Sequence, residues 1–139
     1  MQFQLRNGEF IYVREYKNDD FLYIHQLNKE ENWNNLVSKE AFTKQAWENS
    51  NITYCVWKEN VLIGYVRGLT DYSITLFICE LLISKQYRGL GIAKFLLQYV
   101  HDMYPSTRLD LLATSKSKDF YKENGFREFY GYRKTYTRG

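Results

Sequence analysis

The run Ser84-Lys85-Gln86-Tyr87-Arg88-Gly89-Leu90-Gly91-Ile92-Ala93 has the residue types and spacing of an anion site. Two glycines stand where an apolar helical stripe begins. Lacking Cβ atoms, they let several backbone N–H groups turn into one concavity, where the positive end of the helix dipole favours phosphate. Lys85, Arg88 and Lys94 add side-chain cations beside it, so a diphosphate suits the place better than a single carboxylate. A P-loop is excluded, because no Gly-x-x-x-x-Gly-Lys-Ser/Thr string occurs. A dinucleotide fingerprint is disfavoured: Lys94 stands where its third glycine or alanine is needed, and Asp110 falls inside the next apolar strand rather than at its end.

Other reactive side chains are isolated. His25 and His101 lack the Cys/His/Asp spacing of a metal site, so no metal is expected. Cys55 and Cys79 lie in apolar runs that would not stabilise a thiolate, which reads as core packing and disfavours a covalent route through Cys79.

The elements that must position the loop follow from pattern. Phe3 to Val13, interrupted by Asn7-Gly8, reads as a hairpin or bent first strand. Phe21, Leu22, Ile24 and Leu27 behind Asp19, then Ser38 followed by Ala41, Phe42, Gln45 and Ala46, read as two short helices. Ile52–Trp57, Val61–Leu69 and Ile74–Ile83 read as strands. A helix beginning near Gly89 carries the stripe Ile92, Phe95, Leu96, Tyr99, Val100 and Met103, and Pro105 marks its end. Leu109–Ala113 reads as a buried strand, Lys118–Asn124 as a helical turn stopped by Gly125, and Phe126–Tyr136 as an aromatic strand. The result is one mixed sheet with helices on both faces, an α/β or α+β sandwich.

With 139 residues, 45% hydrophobic and 25% charged, the chain is one globular domain spanning 1–139. A net charge of +3 is far below that of a typical nucleic-acid binder. Arg127, Arg133, Lys134 and Arg138 with Tyr130, Tyr132 and Tyr136 could stack single-stranded bases, but a solvated strand with a packed aromatic face is the better reading. Met1–Phe10 is too polar for a signal peptide, and no run of roughly 18 apolar residues occurs. A cytoplasmic protein without membrane or nucleic-acid partners is the expectation. The exposed last strand could pair across a two-fold axis into a homodimer.

Gln86-Tyr87-Arg88-Gly89-Leu90-Gly91 resembles the Gln/Arg-x-x-Gly-x-Gly/Ala loop of the GNAT superfamily of acyl-CoA-dependent N-acetyltransferases. Asp119–Phe126 resembles its Phe-Tyr-x-x-x-Gly-Phe signature, and Tyr54–Phe129 as a whole is similar to small bacterial members. The resemblance implies a mostly antiparallel central sheet with helices on both faces, and transfer of acetyl from acetyl-CoA to a primary amine of a small molecule or peptide in a ternary complex. A non-catalytic acyl-CoA sensor is the alternative. It also implies that backbone groups of Leu82 and Ile83 bind the pantetheine arm like an added strand, and that amides around Arg88, Gly89, Leu90, Gly91, Ile92 and Ala93 hold the pyrophosphate. Tyr121 matches the phenol that protonates the departing thiolate; its bland reading is a core tyrosine. Thr114 and Ser117 replace an asparagine and alanine common in relatives, and Lys85 a proline. An acceptor amine must lose a proton before attack. Glu80, sharing strand parity with Leu82, is the candidate base, directly or through water, and a salt-bridged edge glutamate is the equal alternative. Asp71, Tyr72 and Trp33 could line the acceptor pocket, although the first two read more readily as a surface loop.

Overall fold

The computed structural model describes residues 1–137. A single six-stranded sheet runs in the order β1 (Gln2–Gln4), β2 (Phe10–Glu15), β3 (Ile52–Lys58), β4 (Val61–Thr70), β5 (Thr75–Ile83), β6 (Arg108–Leu111). Every neighbouring pair is antiparallel except β5 and β6, which are parallel and joined by a helical crossover. The first strand is indeed a hairpin, turned at Asn7-Gly8 with Gly8 at φ 87°.

Helices cover both faces. On one lie α1 (Phe21–Glu30), α2 (Asn34–Ser38) and α3 (Glu40–Asn49), whose Phe21, Ile24, Leu27 and Trp47 pack with Cys55, Tyr65 and Leu82. On the other lie α4 (Ile92–Met103) and α5 (Lys118–Glu123). Ile92, Leu96 and Val100 recur at helical spacing and bury one stripe of α4 against Val66, Leu76 and Ile78. The region read as two early helices holds three, since a single extra turn forms at α2. The main helix starts at Ile92 rather than near Gly89, because Gly89 and Gly91 both hold positive φ and cannot continue a right-handed helix.

A β-bulge at Cys79 decides which side chains reach which face. Arg67 pairs with Glu80 and Gly68 with Ile78, which leaves Cys79 unopposed on β5. Leu76 and Ile78 before it, and Leu81 and Ile83 after it, all face α4, while Leu82 faces the α1–α3 layer. An unbroken alternation would have carried Glu80 into the α4 core.

The expected last strand is not formed. Phe126–Thr137 lies outside the sheet, with Tyr130 92%, Tyr132 95% and Tyr136 87% exposed. Its β-forming residues need a partner edge, and β6 is only four residues long, while the segment passes over the Leu112 side chain at Gly131. The strand on which dimer pairing was expected is therefore absent, as is the packed aromatic face. Arg138 lies outside the described residues. Among the described residues no helix is long and apolar enough to cross a membrane.

Candidate functional site

β5 and β6 part company halfway. Their pairing ends at Ile78 and Leu111, so on that side Cys79–Ile83 has no strand neighbour among the described residues. Ser84 N–H donates to Ile63 O at 2.8 Å, and antiparallel alternation then gives the Leu82 backbone groups to Tyr65. The N–H and C=O of Leu81 and Ile83 are left facing the open side. The Ile83 carbonyl accepts from Arg88 Nε at 3.0 Å. The free edge thus presents the backbone groups of Leu81 and Ile83, where the resemblance implied those of Leu82 and Ile83; Leu82 also lines the cleft.

The cleft opening beside this edge measures about 680 Å³. It is lined by Leu81, Leu82 and Ile83 on one side, by Phe120 and Tyr121 of α5 on another, and at one end by Arg88, Gly89, Gly91, Ile92, Ala93 and Lys94. Gly89 and Gly91 adopt φ of 79° and 89°, a conformation L side chains rarely take, and the space beside both is open. The first-turn amides of Ile92, Ala93 and Lys94 have no carbonyl partner within α4, so cradle, dipole and open space coincide. α4 departs from Gly91, and Ala93 lies in its first turn.

The cations divide. Lys94 borders the cleft, whereas the Arg88 guanidinium pairs with the Glu31 carboxylate at the end of α1. Glu31 Oε2 also accepts from Lys85 N–H at 3.2 Å. Arg6 and Trp33 line the cleft as well. Nothing in the sequence near Glu31 marks it, since its partners lie far along the chain.

Tyr121 stands in the cleft wall, edge-on to Phe120 at 5.1 Å and to Phe126 at 5.3 Å between ring centroids. Burial raises its phenol pKa above the ordinary tyrosine value. Gly125 at φ 87° ends the turn, and Phe126 N–H returns to Tyr121 O at 3.0 Å. Glu80 has a different place. Both its oxygens take hydrogen bonds from Arg67, from Nε at 2.6 Å and Nη2 at 2.5 Å, and it does not line the cleft. Each side chain of the pair is 14% exposed, and Arg67 Nη1 also donates to Ser50 Oγ at 2.9 Å. Of the two readings of Glu80, the salt-bridged glutamate is the arrangement seen.

Asp71 Oδ1 accepts from the amides of Ser73, Ile74 and Thr75, which lower its pKa, and Tyr72 packs on Tyr104. Both belong to the β4–β5 turn, and of the three acceptor candidates only Trp33 borders the cleft. Thr114 N–H donates to Ser117 Oγ at 3.1 Å, so that hydroxyl ties its own loop. Among the described residues no three His, Cys, Asp or Glu side chains cluster as metal ligands.

A mostly antiparallel sheet whose parallel edge splays beside a glycine-capped helix matches the fold of the GNAT acetyltransferases. The Acetyltransferase (GNAT) domain family matches residues 13–136, and the chain belongs to that family, whose acyl donor is acetyl-CoA. Among curated proteins no sequence matches. Of the solved structures, a GNAT-family acetyltransferase from Streptococcus pneumoniae superposes with a TM-score of 0.76 at 19% identity, covering 92% of this chain and 98% of its own. AAC(6')-Iy, in complex with the bisubstrate analogue CoA-S-monomethyl-acetylneamine, gives 0.70 at 13% identity, covering 93% and 99%. An aminoglycoside acetyltransferase from an uncultured soil metagenomic sample gives 0.69 at 13% identity, covering 92% and 99%. At these identities the likeness is one of fold.

Proposed function

We propose that the protein transfers acetyl from acetyl-CoA to a primary amine of a small molecule, directly and within a ternary complex. One observation carries the reading: a single cleft joins the open edge of β5, the glycine cradle at the start of α4 and the phenol of Tyr121. A volume near 680 Å³ is ordinary for a ligand cleft. The likeness in fold to aminoglycoside acetyltransferases supports a small-molecule amine as acceptor.

The residues fit CoA: the space beside Gly89 and Gly91 is open, and the amides there meet a helix N-terminus. Acetyl-CoA supplies the activated thioester. The amides from Gly89 to Lys94 would hold its pyrophosphate, and the backbone groups of Leu81 with the N–H of Ile83, whose carbonyl Arg88 already holds, would pair with the pantetheine arm as an added strand. Tyr121, its pKa raised by burial, keeps its proton at neutral pH and can give it to the departing thiolate. The acceptor nitrogen must lose a proton before it attacks. With Glu80 held by Arg67, we assign that proton to water in the cleft.

Calorimetric titration with acetyl-CoA and CoA tests the reading. Wild type and Gly89→Asn, whose side chain tolerates positive φ, are expected to bind; Gly89→Glu, which adds a negative charge at the cradle, is expected to lose binding. No heat with well-folded wild type would overturn the proposal. Binding without acetylation across a broad amine panel would reduce it to a CoA-sensing domain.

A further inference from the structure

We propose that Glu31 is a positioning residue that couples the phosphate loop to the acceptor side of the cleft, so that seating CoA on the loop also orders Trp33. The inference rests on the CoA reading above and deepens it.

Glu31 ends α1, its N–H returning to Leu27 O at 3.0 Å. Its side chain is only 11% exposed although charged, because the Ser84–Arg88 segment lies over it. One carboxylate oxygen accepts from Lys85 N–H and the other from the Arg88 guanidinium, so Glu31 grips both ends of the short 3₁₀ turn that leads into the glycine cradle. Arg88 meanwhile donates from Nε to the Ile83 carbonyl on the open strand edge. A single guanidinium therefore ties the donor edge, the donor loop and the end of α1 together.

From Glu31 to the cleft wall there is little slack. Asn32 holds φ at 60°, and Trp33 N–H is fixed to Asn28 O at 2.9 Å. The Trp33 ring stands edge-on to Tyr65, at 6.3 Å and 90°, and borders the same cleft as Tyr121. Only Asn32 separates Glu31 from Trp33, so a shift of Glu31 is passed directly to the Trp33 backbone, and an ordered Arg88 holds Glu31 still. Donor binding, by confining Arg88 and its loop, removes freedom from the Trp33 segment as well.

Amide hydrogen exchange tests the coupling. In wild type, saturating CoA is expected to slow exchange at least threefold both in residues 89–94 and in 33–37; in Glu31→Gln it should slow only the first. Without ligand, Arg88→Gln should speed exchange in 33–37, and Glu31→Gln should speed it in 89–94. CoA affinity in the Glu31→Gln, Arg88→Gln double variant should be no weaker than in the weaker single variant, each single loss being about three- to fivefold. Protection of 33–37 by CoA in Glu31→Gln as in wild type, or additive losses, would overturn the coupling. If CoA protects neither segment of wild type, the CoA reading fails, and the unliganded comparison decides the coupling alone: unchanged exchange of 33–37 in Arg88→Gln ends it. Arg88 is 53% exposed, so its variant carries the test even where Glu31→Gln does not fold.

Discussion

Tyr121 and Glu80 show how differently two titratable groups named from the sequence can fare. Tyr121 stands in the cleft wall, and burial, by raising its phenol pKa, keeps the proton on the ring oxygen until a thiolate can take it. Tyr121→Phe should lower kcat by about 100-fold while leaving the CoA Kd nearly unchanged; equal turnover across the pH range would remove Tyr121 from the chemistry. Glu80 is bound to Arg67 through both oxygens and does not line the cleft. Glu80→Gln should therefore lower Tm, because the Arg67 charge loses its partner, yet leave the acid limb of the kcat/KM profile in place. Disappearance of that limb would make Glu80 the base after all. Strand parity made Glu80 a candidate, but its partner lies 13 residues away on β4, and the approach to it depends on register.

The bulge at Cys79 and the splay of β5 from β6 together make the cleft. The bulge sends Leu81 and Ile83 toward α4 and keeps Glu80 with Arg67, and the end of β6 at Leu111 frees the backbone edge that follows. Gly68 sits opposite the bulge, where an added Cβ would lie 2.7 Å from the Phe77 carbonyl oxygen. Gly68→Ala should cost about 1–3 kcal/mol of stability and weaken CoA binding by shifting β5. Unchanged denaturant midpoint and Kd would show that the strands absorb the methyl freely. The strands through Ile83 and the stripe of α4 were legible because alternation and helical spacing are local properties. Phe126–Tyr136 has the composition of a strand but no sheet edge that takes it, so propensity alone misled.

Two cores on opposite faces of one sheet hold the molecule together, and the first helix is tied to the sheet by charge. Burial works to raise the Asp20 carboxyl pKa, but hydrogen bonds from Arg14 Nη1 and Nη2 and from Lys17 N–H outweigh it and hold it below the usual value. A carboxyl depressed in the folded state adds stability above its unfolded pKa of about 3.9, and that stability is lost as pH falls through the lower folded value. Asp20→Asn should thus cost about 2 kcal/mol near pH 7, with the gap to wild type closing in acid; a gap independent of pH would show that the charge contributes nothing. The sequence by itself determined the helix stripe, the glycine cradle, the Phe-Tyr signature and hence the family, because dihedral freedom, periodicity and turn chemistry are carried by neighbouring residues. Tertiary structure alone decided that Arg88 goes to Glu31, 57 residues away, that Glu80 goes to Arg67, and that β6 stops at Leu111 and leaves the edge open. Ion pairs and strand ends depend on the separation of distant segments in space, and that separation is set only when both cores have packed.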